Sequence, residues 1–351
     1  MKSMNRRELL KMGAAASTVG LLKMIPGRAV ADTRQLPEAV TPKQTTVGAP
    51  GYVIRVHKPG MLKRRFPDAL AAEEMVHQAV MTLCSTSDLE KAWRQIVRKD
   101  DRVGIKINAL GGRFASSMKE VVDPIVKGVL LAGVPEKNIM IYDQYGGNMR
   151  QARYEWQEKP DRLRVINHAV LGYEKELTHS PGGGRGNLAK TLKWTTAVIN
   201  VPVLKDHDLA GVTCAIKNMV CGSVESPPLM HRQIHTALPH FYALNEIAGK
   251  VRLILCDGSF CQYEGGPKYN PSTRVAHDCV YATTDPVAMD TIALNVINTL
   301  RKNNGYRSLE EVRRPATFLK VAEEIGLGVT DMSIILLKTI ELPPVSELKN
   351  A

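Results

Sequence analysis

Short apolar segments rich in β-branched residues recur along the chain, most of them followed by a stretch with helical spacing, and this alternation restricts the fold more than any other feature. The strand-like runs are 52–57 (YVIRVH), 102–108 (RVGIKIN), 138–143 (NIMIYD), 163–167, 197–204 (AVINVPVL), 251–257 (VRLILCD), 275–282 and 332–337. Helical spacing covers 67–84, 116–132, 286–300 and 316–325, with Gly133 and Gly326 placed as stops. Pro67 and Pro286 stand at helix starts, and Asp68, Glu73 and Glu74 favour the N-terminal half of the first helix. Strands alternating with helices predict an α/β fold: a mostly parallel sheet with helices on both faces. Pro202 predicts an irregular end to its strand. The more polar region 145–195, with PGGGRG at 181–186, predicts an insertion or lid. Its glycine-rich loop matches neither the Walker pattern nor G-x-G-x-x-G and reads as flexible.

The N-terminus carries a different signal. Asn5-Arg6-Arg7-Glu8-Leu9-Leu10-Lys11 precedes a mildly apolar stretch over 12–25, and Ala29-Val30-Ala31 offers a small-x-small cleavage site. These features predict a twin-arginine (Tat) signal peptide over 1–31, an extended tether over 32–50 and a single α/β domain over 51–345. The Tat translocase is then a partner and the periplasm the location. Leader removal takes Lys2, Arg6, Arg7, Lys11, Lys23 and Arg28 with Glu8, which lowers the net charge from +12 to +7. That balance suits a small anionic ligand. No lysine- and arginine-rich tract with interleaved aromatics appears, which argues against nucleic acid. No later run is long and uncharged enough for an integral membrane span.

Six cysteines are present, none in C-x-x-C, so the chain contains neither a ferredoxin-type cluster motif nor a zinc ribbon. Cys84 and Cys214 read as small buried apolar residues. Cys256 and Cys261 are spaced for a bridge across a turn in an oxidising compartment.

In open α/β sheets, ligands gather beyond the carboxyl ends of the strands. Polar residues recur at that end of the expected strands here: Lys106 and Asn108, Asp143, Lys205-Asp206-His207-Asp208, and Asp257-Gly258. His231 and His235 share a face if helical, which suits two imidazoles on one metal ion, although Leu238-Pro239 sets a break close by. An exposed surface helix is the other account of that pair. Lys205 beside His207 suits an anion grip or a base. Lys217, in the apolar stretch 211–222, either snorkels to solvent or belongs to a site. His277 and Cys279 face one side of a strand and read as core. No G-x-S-x-G elbow occurs.

Over residues 100–338 these blocks resemble the bacterial and archaeal domain-of-unknown-function family 362. The resemblance rests on Val103–Asn108, Ala197–His207, Gly211–Asn218, Cys256-Asp257-Gly258, Gly265-Gly266-Pro267, Thr284–Asp290 and Gly326-Leu327-Gly328. It marks Lys106, Lys205, His207, Lys217, Asn218, Asp257, Asp285 and Asp290 as site candidates; Asp285 also fits an N-cap before Pro286. Many members carry an appended iron–sulfur module, which implies redox or metal chemistry; this chain departs from them in having no such module. The expectation is an exported, metal- or cofactor-dependent enzyme with redox-linked chemistry on a small anionic substrate. Lys205, His207, Lys217 and Asp257 are its catalytic candidates. Lys106, Asn108, Asn218, Asp285 and Asp290 are its ligand-binding candidates, and His207 with His231 or His235 its metal ligands. The alternative is a non-catalytic periplasmic protein that binds an anion or cofactor.

Overall fold

The structure, a computed structural model, describes residues 47–345, which fall within one compact unit. The expected signal peptide and most of the tether lie outside the described residues.

The elements follow in order. β1 is Tyr52–His57, β2 Leu62–Lys63, β3 Phe66–Pro67, α1 Ala69–Leu83, α2 Leu89–Ile96 and β4 Val103–Ile107. Then come α3 Lys119–Leu131, β5 Ile139–Asp143, α4 Gly146–Gln151, β6 Arg164–Asn167, β7 Tyr173–His179, β8 Arg185–Ala189 and α5 Lys190–Trp194. The second half holds β9 Ala197–Val201, β10 Val203–His207, β11 Gly211–Thr213, α6 Ala215–Cys221 and α7 Ile234–Tyr242. It closes with β12 Val251–Gln262, β13 Arg274–Thr283, α8 Pro286–Asn303, α9 Phe318–Glu324 and β14 Leu336–Glu341.

The main sheet runs β14-β1-β13-β12-β9-β4-β5-β6. From β12 to β6 every neighbouring pair is parallel, and β13 runs against β12 and β1. Side chains alternate across the strands, and each face meets its own helices. Val103, Ile105 and Ile107 of β4 pack with Met75, Trp93 and Ile125 of α1, α2 and α3. On the other face, Val198, Ile254 and Cys256 pack with Ile216, Phe241, Ile292 and Phe318 of α6 to α9. The sheet is therefore mostly parallel and covered on both sides, as the alternation predicts.

Pro202 divides the run 197–204 into β9 and β10. Its carbonyl accepts from Asp257 N at 2.9 Å, where β12 changes partner from β9 to β10. This exchange extends β12 well beyond Asp257 and carries Lys205 and His207 past the end of β4. The helix expected from Ser116 begins at Lys119, because Ser116 and Ser117 belong to the preceding loop. The last strand begins four residues later than the pattern suggests, after a turn in which Asp331 Oδ1 accepts from Ser333 N at 2.8 Å. Helix α7 runs through Pro239, against the expected break. Burial of Ile234, Ala237, Leu238, Phe241 and Tyr242 offsets the backbone bond that proline cannot make. Within 145–195, Arg164–Asn167 is an edge strand of the main sheet, and the β7–β8 hairpin is tied to α7 by Thr236 Oγ1 donating to Gly182 O at 2.7 Å.

All six cysteines are free. Cys256 and Cys261 lie on the single extended strand β12, about 3.3 Å apart per residue, which removes the expected bridge between them. No helix among the described residues is long and apolar enough to cross a membrane.

The contact between α2 and α3 gives a test of this packing. A Cβ at Gly128 would stand 1.9 Å from Cε2 of Trp93, a fully buried ring. Alanine gains roughly 1 kcal/mol of helix propensity over glycine, but forcing the two helices apart costs about 1–3 kcal/mol or more. Gly128→Ala is expected to lower the midpoint of thermal unfolding, while Gly147→Ala, with nothing within 4 Å, leaves it nearly unchanged.

Candidate functional site

The carboxyl ends of β4, β5, β9 and β10 surround a buried polar network roofed by α6. Lys106 projects from β4 on the α6 side, and its Nζ donates to Asp143 Oδ1 at 2.8 Å, to Asn218 Oδ1 at 3.2 Å and to Ile107 O at 2.5 Å. Asn108 Nδ2 donates to the same Asn218 oxygen at 3.1 Å. Asn218 Nδ2 donates to Asn200 Oδ1 at 2.8 Å, and Asn200 Nδ2 to Ala215 O at 2.9 Å. From the far side, Lys205 Nζ donates to Asn108 Oδ1 at 2.9 Å and Ala115 O at 3.1 Å. One hydrogen-bonded chain thus runs from Asp143 through Lys106, Asn218 and Asn108 to Lys205. Lys106, Asn108 and Lys205 meet at the strand ends, and Asn218 reaches them from α6.

Local structure explains the assembly. The loop after β4 is pinned because Ser117 Oγ accepts from Asn108 N at 2.8 Å and donates to Val201 O at 2.7 Å. Gly111 makes a β-bridge to Ala115, where a Cβ would stand 2.0 Å from the Ala115 carbonyl oxygen, and that bridge helps place the carbonyl facing Lys205. At the roof, Gly222 leaves room for Lys106: a Cβ there would lie 1.9 Å from Cε and 2.4 Å from Nζ.

Positive charge exceeds negative charge within the hydrogen-bonded network. Lys106 has Asp143 as an ion-pair partner, but Lys205 is fully buried and bonds only neutral oxygens. Burial, followed by the nearby Lys217 ammonium, pulls Lys205 down to about 7. Lys217, on α6, is 6% exposed and donates to Cys221 Sγ at 3.4 Å. His207 is held neutral: burial first, then Lys217, lowers it to about 2. Its Nδ1 meets Leu209 N at 3.1 Å and Ala210 N at 3.2 Å, and Asp208 Oδ1 at 2.9 Å. Thr213 faces Lys205 across the β10–β11 ladder, and Ser116 follows Ala115. The hydroxyls of Thr213 and Ser116 are buried and have no hydrogen-bond partner within the protein. The unsatisfied Thr213 hydroxyl, on the residue opposite an unneutralised ammonium, suits an added acceptor group.

The expected acidic residues act differently. Asp257 accepts from Met118 N at 2.7 Å and Ser259 N at 3.0 Å, anchoring the loop ahead of α3 to β12. Asp285 caps α8 through Val287 N and Ala288 N, and also holds Gly51 N and Val329 N. Asp290 caps α6 through Ala215 N at 2.5 Å and Ile216 N at 3.1 Å. Asp257, expected as a catalytic residue, and Asp285 and Asp290, expected to bind the ligand, here use their oxygens to hold backbone amides. Burial raises all three, Asp290 to about 7.

The metal set is not assembled either. His231 lies in a 3-10 segment over Pro227–Gln233 and His235 in the first turn of α7, so they do not share one α-helical face. No group of three or more His, Cys, Asp or Glu among the described residues is arranged to hold a metal ion. His231 does lie near enough to His207 to help depress its protonation.

Sequence reasoning left Asn200 and Thr213 out of the site, and Asp143 among strand-end signals only. Asn200 had a visible mark, an amide inside the otherwise apolar AVINVPVL. Thr213 had none, because its place depends on the short β10–β11 ladder.

Comparison with known proteins places this architecture. The family described as Domain of unknown function (DUF362) matches residues 103–295, a span that includes every member of the network. No curated protein matches the chain. Among solved structures, it is similar to a protein from Thermotoga maritima, at 9% identity and a TM-score of 0.40 over 70% of this chain and 60% of that one. It is also similar to the lactate racemase apoprotein of Thermoanaerobacterium thermosaccharolyticum, at 17% identity and a TM-score of 0.31 over 65% of this chain and 53% of that one. The chain therefore spans less than two thirds of the length of either.

The network predicts unequal effects of charge removal. Lys106→Met leaves the buried Asp143 without its cation, and is expected to destabilise by about 3–5 kcal/mol; removing both partners in Lys106→Met/Asp143→Leu restores part of that loss, the rest remaining because Ala109 N loses its acceptor. Denaturant unfolding of the single and double variants checks the difference.

Proposed function

The chain belongs to the DUF362 family, and we propose that it is an enzyme acting on a small carboxylate- or phosphate-bearing substrate at the strand ends, with Lys205 as its proton-transfer group. The observation that carries this reading is the fully buried Lys205 ammonium, hydrogen-bonded to Asn108 Oδ1 and Ala115 O and to no carboxylate. Lys217 adds a second cation next to it. A negative substrate group relieves the repulsion between the two and finds the unpartnered hydroxyl of Thr213, the residue opposite Lys205. Held close to 7, Lys205 exchanges a proton near neutral pH, as a general acid or base requires. His207, held neutral by burial and by Lys217, lies close to both lysines. Lys106, Asn108 and Asn218 position Lys205.

A second reading, anion capture without turnover, is favoured by closure of the site: Lys205 is 0% exposed and the lysines and amides bond one another. Turnover assays on small 2-oxo and phosphorylated acids, run beside binding measurements, separate the two.

Export completes the proposal. The arginine pair, the weak apolar stretch and the small-residue site at Ala29-Val30-Ala31 support Tat translocation to the periplasm. Mass spectrometry of the periplasmic product is expected to find the N-terminus after Ala31; an intact Met1 confined to the cytoplasm overturns it.

Protonation gives the sign of the pH effect. A lowered Lys205 is charged below about 7 and neutral above it, so its ionisation opposes folding at low pH and that penalty fades as pH rises from 7 toward the ordinary lysine value. Binding of acetate or phosphate is expected to be strongest below about pH 7 and to weaken above it, and Lys205→Met abolishes both the binding and its pH dependence. Calorimetric titration across pH 6–9 tests this, and binding retained by Lys205→Met contradicts it.

A further inference from the structure

Three separate stretches of chain bring a basic residue next to an aromatic one: Arg65-Phe66, Arg113-Phe114 and Lys268-Tyr269. Folding collects them on one surface. The rings of Phe66 and Phe114 lie 5.6 Å apart, and those of Phe114 and Tyr269 5.4 Å apart. The Arg65 guanidinium lies 4.9 Å from the Phe114 centroid, and that of Arg113 lies 5.5 Å from Phe66 and 5.8 Å from Phe114. Arg153 covers Phe66 at 4.2 Å but is engaged with both oxygens of Glu120 at 2.7 Å. Arg65, Arg113 and Lys268 are exposed, and no carboxylate among the described residues is paired with them by a salt bridge.

We propose that Arg65 and Arg113, stacked on the Phe66–Phe114 pair, form a binding site for the phosphate chain of a linear oligophosphate in solution.

A guanidinium stacked on a ring keeps its N–H rim free, in the fork geometry that grips phosphate oxygens. The stack also fixes a side chain that otherwise loses much rotamer freedom on binding. Two unpaired guanidiniums sharing one ring repel each other, so the ligand that gains most carries linked negative charges; a single phosphate bridges them less well. The ring faces are occupied by cations, so they are not open to nucleic-acid bases, and the half-buried rings are not presented to acyl chains. The outer side of the loop after β4 carries Arg113 and Phe114 while the next residue, Ala115, turns its carbonyl to Lys205, so the two sites are adjacent and separately held.

Calorimetric titration with sodium tripolyphosphate and with orthophosphate, at matched ionic strength, tests the proposal. Tripolyphosphate is expected to bind more tightly, and Arg65→Ala/Arg113→Ala to weaken it by about tenfold or more. Phe114→Leu keeps every charge and is expected to weaken binding through loss of the stack, while Lys205→Met leaves it unchanged. The proposal is overturned if, in Lys205→Met, which lacks the phosphate binding proposed at the strand ends, tripolyphosphate does not bind or orthophosphate binds as tightly, or if adding either platform change there leaves the binding as it was. It is equally overturned if Lys205→Met removes the binding, or if cosedimentation with phosphatidylglycerol vesicles, lost in the same variants, replaces the response to tripolyphosphate.

Discussion

Two lysine ammonium groups buried at the carboxyl ends of the strands impose the constraint that organises this protein. A buried charge is tolerated only with partners, and Lys106 and Lys205 obtain theirs from different places. Lys106 takes a carboxylate from β5 and an amide from α6, while Lys205 takes an amide after β4 and a carbonyl from the following loop. The strand order, the exchange of β12 from β9 to β10, and the placement of α6 over β4 all serve to bring those partners within reach. Asn218 and Asn108 join the two lysines, so the strand ends form one connected unit instead of a set of independent side chains.

The acidic residues divide by role along the same logic. Asp143 neutralises a cation with one oxygen and holds Ala109 N with the other, while Asp257, Asp285 and Asp290 hold backbone amides at a loop and at two helix starts. With those three engaged by backbone amides, the hydrogen-bonded network of Lys106, Lys205 and Asp143 carries an excess of positive charge. That excess, not any single residue, is what the proposal of an anionic occupant rests on. On the opposite face of β10, Asp206 pairs with Arg314 at 2.8 Å and accepts from Gly266 N at 2.7 Å, so the alternation of the strand separates a satisfied ion pair from an unsatisfied ammonium.

Much of this was legible in the sequence, for physical reasons. Apolar runs with β-branched residues and glycine-stopped helices are local signals, and they gave the α/β class and most strands. Lys106, Asn108 and Lys205 were visible because polar residues closing apolar strands stand out. The roles of Asp257, Asp285 and Asp290 were not fully legible, since a carboxylate that holds distant amides, such as Asp285 on Gly51 and Val329, looks identical in sequence to one that faces a ligand. The His231–His235 spacing misled because the change from 3-10 to α geometry falls between them. The Phe66–Phe114 platform was invisible as a tract, because its parts come from three stretches far apart in the chain.

The central claim is that Lys205 is an ammonium held close to neutrality by burial and by its neighbouring cation, waiting on an anion. The direct measurement is an NMR pH titration of lysine side chains in isotope-labelled protein, with Lys205→Met used for assignment. The account predicts one lysine titrating near 7 that moves upward when acetate or phosphate is added. A Lys205 signal that titrates with the ordinary lysines and ignores both anions would contradict it.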